Sequence, residues 1–168
     1  GFIHTTNTDG LHLMSGCDRN RILEVHGSMW RLQCLDTCTR QFWDDVSVPL
    51  CNLDSQTMQA SNFPSCIQCR GIARPHILMF GDGEYTGHPE QEINFKKFLQ
   101  EPVDLAILVG SSGAVPTNDY IALHLIKRGT VVININPDTS SNQIVNTDLF
   151  IEMRSKDAFV ELNKIAFG

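Results

Sequence analysis

Six cysteines and one histidine–glycine step carry the chemistry that this sequence offers. Cys34 and Cys38 form a C-x3-C knuckle, and Cys66 and Cys69 a C-x2-C knuckle. Two such knuckles joined by an insert can close a tetrahedral four-thiolate site. Four thiolates leave a zinc ion no open position for water, so this metal would be structural. A disulfide framework is the competing reading. It is disfavoured in a chain long enough to bury a core and without a secretory signal. Cys51, inside the insert, is a spare ligand, and Cys17 reads as an ordinary packed or solvated thiol.

His26 follows the short apolar run Arg21-Ile22-Leu23-Glu24-Val25 and precedes Gly27. A histidine at the carboxyl end of a strand, with a glycine to free the backbone, is placed for acid–base work. A packed structural histidine is the alternative. Upstream, Asn7-Thr8-Asp9-Gly10 is a polar turn after the strand Phe2 to Thr6. Ligands in parallel α/β sheets sit outside the carboxyl ends of strands, so Asn7 and Asp9 are candidate site residues. An Asx-turn that only caps the next helical segment fits the same spacing. Gly110-Ser111-Ser112-Gly113 follows the apolar run Asp104 to Val109. Glycines and hydroxyls there suit a phosphate or a ribose, although the spacing is not G-x-G-x-x-G, and on spacing alone an ordinary βα loop is the favoured reading.

The elements that must position these groups alternate. Further strands are expected at Ile72 to Phe80, broken by Arg74-Pro75, at Thr130 to Ile135 and at Asp148 to Glu152. Helices are expected at Pro89 to Leu99, Asn118 to Arg128 and Asp157 to Ala166, with an irregular link from Leu11 to Asn20. Met29 to Gln33 reads as a lead-out from His26 to Cys34. The fold class is therefore α/β: an open, Rossmann-like, mostly parallel sheet with a small zinc-binding module inserted. Residues 1–33 and 70–168 form the sheet domain and 34–69 the module. Polar strand ends at Asn7, His26, Gly110 to Ser112 and Asn134 are expected along one edge.

Composition bounds the partners. The formal charge of −6 makes direct nucleic-acid binding an unexpected role. No apolar run reaches the roughly 20 residues of a membrane span. No signal peptide is recognisable, so an intracellular protein of nucleus or cytoplasm, with the mitochondrion left open, is expected.

The residues resemble those of the sirtuins, the NAD-dependent protein deacylases. Thr5-Thr6-Asn7-Thr8-Asp9-Gly10-Leu11 resembles the family's T-Q-N-x-D-x-L, and Val25-His26-Gly27-Ser28 its E-L-H-G-S/N. The four knuckle cysteines fall where its zinc cysteines fall. Arg74-Pro75-His76-Ile77-Leu78-Met79-Phe80-Gly81-Asp82 resembles R-P-x-V-V-W-F-G-E. Val109-Gly110-Ser111-Ser112 resembles V-G-T-S, and Val132-Ile133-Asn134 its V-I-N.

The resemblance implies NAD as cofactor and an acylated-lysine protein as substrate. His26 would be the general base on the nicotinamide ribose hydroxyls, with Asn7 and Asp9 lining the nicotinamide pocket. Gly110, Ser111, Ser112 and Asn134 would hold the adenosine side. Ile77, Leu78, Phe80, Gly81 and Asp82 would form the edge on which the substrate peptide adds as a strand. The acyl oxygen would attack the anomeric carbon and expel nicotinamide, giving free lysine and O-acyl-ADP-ribose.

Departures accompany the match. The family's opening G-A-G-x-S strand and loop are not in this sequence, and a sheet lacking that strand would have a gap of unpaired backbone groups. Three explanations stand: the back portion of a longer protein, a second chain completing the sheet, or a degenerate relative. Thr6 stands where the family carries glutamine, and Asp82 where it carries glutamate. The alternative functions are a catalytically inactive scaffold that binds NAD or ADP-ribose, and an NAD glycohydrolase or ADP-ribosyltransferase.

Overall fold

The computed structural model describes residues 1–44 and 52–168, so the spare ligand Cys51 lies outside the described residues. They fall into two compact units, Gly1–Phe98 and Leu99–Gly168. The cysteine segment 34–69 lies within the first.

The first unit contains β1 (Ile3–Thr5), α1 (Leu11–Met14), a single 3-10 turn (Arg19–Arg21), β2 (Ile22–Glu24), β3 (Gly27–Cys34), β4 (Phe42–Asp44), β5 (Ala73–Ile77) and α2 (Pro89–Phe98). β1 and β2 pair in parallel, with Ile3 opposite Ile22 and Thr5 opposite Glu24. Helix α2 belongs with this pair. Phe2 places its ring 5.2 Å from Phe95 and 5.3 Å from Phe98. Gln91, buried, accepts the Glu24 N–H at 2.9 Å through its Oε1.

A second, antiparallel sheet has the order β4-β3-β5. Here the structure corrects the sequence reading, because Met29 to Gln33 belongs to an eight-residue strand rather than a lead-out. Periodicity hides this strand because its buried positions include Arg31 and Gln33. Partners on other elements accommodate both, although Gln33 Oε1 keeps no hydrogen-bond partner among the described residues. Arg31 pairs with Glu24 at 3.1 Å, and Gln33 Nε2–H donates to the Glu84 carbonyl at 3.2 Å. The strand is also irregular. Ser28 faces His76 and Leu32 faces Pro75, so Met29, Trp30 and Arg31 bulge out between two registered segments. The strand expected to break at Arg74-Pro75 and run to Phe80 instead passes through both residues, which pair with Gln33 and Leu32, and stops at Ile77. A turn closed by the Asp82 N–H on the Met79 carbonyl (3.1 Å) follows.

The second unit is β6 (Leu105–Val109), α3 (Thr117–Ile126), β7 (Val131–Ile135), β8 (Leu149–Ile151) and α4 (Ser155–Phe167). Its three strands are parallel in the order β6-β7-β8. A core of Leu108, Ala122, Val132 and Val145 seals α3 onto one sheet face, with Ala106, Leu123 and Ile126 beside it. Leu105, Ile107, Val109, Val131 and Leu149 remain exposed. The continuous apolar run of β6 therefore does not mark a strand covered on both faces among the described residues.

The architecture is mixed α/β with parallel strand pairs and a cysteine cluster. Among the described residues β1 pairs only with β2, and β6 only with β7, so each keeps one open edge. No helix of the described residues is long and apolar enough to cross a membrane.

Candidate functional site

The four knuckle cysteines come together. Their Sγ atoms all lie within 4.8 Å of one another. The Cys34–Cys69 and Cys38–Cys66 separations are 3.7 and 3.6 Å. A tetrahedral zinc with bonds of ~2.3 Å sets its sulfurs ~3.8 Å apart, so the cluster fits that ion. Hydrogen bonds to sulfur support it, from the Gln68 N–H to Cys66 Sγ and from the Gly71 N–H to Cys69 Sγ, both 3.4 Å. The thiols do not titrate alike. The Cys69 backbone N–H leads in pulling Cys66 down to about 6, while the Cys69 side chain leads in pushing Cys38 up. Thiols this close share protons, and a bound cation is what lets all four ionise.

At the other end of β3 lies His26. The Val25 N–H donates to the Thr5 carbonyl at 3.0 Å, which aligns the carboxyl ends of β1 and β2. Asn7 and His26 each follow two residues after those ends, at the same end of the parallel pair. His26 is half-buried, and its ring has no hydrogen-bond partner among the described residues. Its carbonyl accepts the Leu78 N–H at 3.0 Å, which ties it to the end of β5.

The turn after β1 packs onto the β3 bulge. The Trp30 indole N–H donates to the Asp9 carbonyl at 2.7 Å, and the Met29 N–H donates to the Thr8 carbonyl at 2.9 Å. Asp9 Oδ1 accepts the Leu11 N–H at 3.0 Å, so this carboxylate does hold the turn. Asn7 is exposed. Asn7, Asp9 and His26 thus all lie in the first unit, just past the ends of β1 and β2.

Only Ile77 of the expected peptide edge lies in a strand. Phe80 is 95% exposed. Asp82 is turned to Arg74, whose guanidinium donates to its carboxylate at 2.6 Å. Burial works against the charged form, but Arg74 and the Glu84 N–H prevail and hold Asp82 below the usual carboxylate range.

In the second unit, the loop after β6 is fastened from beneath. The Asn136 side-chain amide donates to the Ser111 carbonyl at 2.7 Å, and that of Asn142 to Ser111 Oγ at 3.2 Å. Asn134 is 2% exposed and donates to Asn142 Oδ1 at 3.3 Å. Its Oδ1 has no partner. Ser112 Oγ accepts the Ala114 N–H at 3.2 Å. Gly110, Ser111, Ser112 and Asn134 are therefore brought together. Asp119, Asn136 and Asn142 were not anticipated as part of this assembly. The step Asn134-Ile135-Asn136-Pro137, at a strand end, was the visible signal for Asn136.

The chain is 30% identical over 165 residues to an NAD-dependent protein deacylase of Aeropyrum pernix, spanning 98% of this chain and 59% of that protein. It is 27% identical over 161 residues to one of Leptospira interrogans, spanning 96% and 58%. In fold it is similar to a Sir2 homolog–NAD complex, with a TM-score of 0.75, 23% identity, and coverage of 98% of this chain and 57% of that one. A Sir2–p53 peptide–NAD+ structure gives 0.71 at 20% identity, with 98% and 62% covered. The chain thus spans about three-fifths of the length of the curated relatives it matches. The Sir2 family model matches residues 2–117, and the chain belongs to the Sir2 family.

Proposed function

We propose that this chain carries the acid–base and adenosine-binding parts of an NAD-dependent protein lysine deacylase of sirtuin type. The observation that carries the reading is the emergence of His26 and Asn7 from the same end of the parallel pair β1–β2, in a chain of the Sir2 family. NAD, when bound, supplies the ADP-ribosyl electrophile and nicotinamide as leaving group. Asn134 Oδ1, buried and unpartnered, and the half-buried Ser111 hydroxyl fit the ribose side of such a group. His26, with no hydrogen bond to its ring, is free to take a proton from a sugar hydroxyl, a role worth typically 10²–10⁴-fold in rate. Asn7 and Asp9 flank it and position the leaving group. Zinc on Cys34, Cys38, Cys66 and Cys69 holds the module at 34–69 and takes no part in the chemistry.

An acylated-lysine protein is the proposed substrate. Phe80 and its neighbours beyond β5 are the surface on which its peptide lies. A strand contributed by a longer form of the protein, or by another chain, pairs with the open edge of β1.

A second reading, binding of ADP-ribose without turnover, is favoured by Thr6 in the family's glutamine position. Nicotinamide release in the presence of an acetyl-lysine peptide, with mass spectrometry of the products, separates the two. Peptide-dependent release that collapses in His26→Ala is expected. Nucleotide binding with no release in wild type would sink the deacylase reading. Release without O-acyl-ADP-ribose would point to glycohydrolase or transferase chemistry.

A further inference from the structure

We propose that Asn142, oriented by Asp119, is a positioning residue that turns the Ser111 hydroxyl into a hydrogen-bond donor toward the nucleotide. This deepens the proposed function and rests on it. Asn142 is 2% exposed and Asp119, in the first turn of α3, is 1% exposed. Asn142 Nδ2 donates to Asp119 Oδ1 at 2.5 Å and to Ser111 Oγ at 3.2 Å. Its Oδ1 accepts from Asn134 Nδ2 at 3.3 Å, and its backbone N–H donates to the Ser112 carbonyl at 3.2 Å. Both amide hydrogens and the amide oxygen are thereby used.

A carboxylate can only accept, so Asp119 admits one orientation of the Asn142 amide. In that orientation an N–H, not an oxygen, faces Ser111. The serine oxygen accepts this bond, and its own hydrogen is left to donate outward to an oxygen of the nucleotide. The fit is close. Asn142 sits at φ +52°, a conformation asparagine tolerates, and Gly113 leaves room that no side chain could share. A Cβ on Gly113 would come within 2.9 Å of Asp119 Oδ2 and 3.0 Å of Asn142 Cα.

The test exchanges the pair. In Asp119→Asn/Asn142→Asp the buried hydrogen bond survives with its direction reversed, and net charge is unchanged. Residue 142 can then only accept, so the Ser111 hydrogen turns inward. Binding of ADP-ribose to the 168-residue chain and its variants is measured by calorimetry, and folding by thermal unfolding. Wild type is expected to bind. The exchanged chain is expected to melt within a few degrees of wild type yet bind roughly ten-fold more weakly, the worth of about one hydrogen bond. Ser111→Ala should weaken binding by a similar factor, and adding it to the exchange should cost little more.

Wild-type affinity in the exchanged chain, or losses that multiply fully in the combined variant, would overturn the positioning role while leaving the nucleotide reading intact. Should the exchanged chain not fold, Asp119→Asn alone decides: it lets the Asn142 amide take either orientation, and wild-type affinity there would overturn the positioning role. Failure of the wild-type chain to bind ADP-ribose would remove the functional reading itself.

Discussion

Gly27 lies directly beneath the carbonyl of His76: a Cβ on it would stand 2.0 Å from that oxygen. The glycine that follows His26 is thus required by the neighbouring strand as well as by its own φ of +81°. It lets β3 and β5 close on each other where the histidine emerges.

Gly27→Ala is expected to cost about 2–5 kcal/mol, from the left-handed backbone and the steric overlap together. Urea unfolding measures it. A loss below about 1 kcal/mol would mean that the strands can part there without penalty.

The buried pair Glu24–Arg31 yields a second expectation. Both side chains are almost fully covered, at 2% and 4% exposure. Arg31→Met leaves a buried carboxylate without its partner and should destabilise by about 3–5 kcal/mol. Glu24→Met/Arg31→Met should recover much of that loss, and a double variant no better than the single would refute the account.

Much of the fold was legible in the sequence, and two of the misses share one cause. The runs into Val109 and Ile135 announced β6 and β7, and the cysteine spacing announced the cluster. β3 was hidden because Arg31 and Gln33 look like surface residues until Glu24 and Glu84 are seen beside them. Asn142 was hidden in the same way. Its partners Asp119 and Ser111 lie 23 and 31 positions away, and nothing in Ser140-Ser141-Asn142 distinguishes it from an ordinary turn.

Metal content offers a third expectation. The chain should hold about one zinc, and a strong chelator should unfold the cysteine module. Cys34→Ser should lose the ion, and Cys17→Ser should keep it. Elemental analysis with circular dichroism reads both; equal metal content in the two variants would contradict the four-thiolate assignment.

Stability should fall in mild acid. His76 is buried between the rings of Phe42 and Tyr85, at 4.3 and 4.9 Å, and donates from Nε2 to the Thr86 carbonyl at 2.6 Å. Burial, with Arg31 nearby, holds both His76 and His88 below the ordinary histidine range. The unfolded chain then takes up protons as pH drops through about 6.5 while the folded chain does not. Stability is full above that pH and declines below it, by at most about 1.4 kcal/mol per pH unit for each imidazole. Urea titrations from pH 8 to pH 5 test this, and His76→Gln should flatten the slope.

The three-residue bulge at Met29, Trp30 and Arg31 has a consequence for how this chain tolerates changes of length. The ladder with β5 is counted separately on either side of it, so an extra residue just after Met29 keeps both registers and is felt only at the Met29–Thr8 and Trp30–Asp9 bonds that seat the bulge. The same insertion between Gln33 and Cys34 turns the last side chain of the strand to the opposite face and carries its sulfur away from its three companions. Spacing between the imidazole and the first thiol is therefore elastic at one point and rigid a few residues further on.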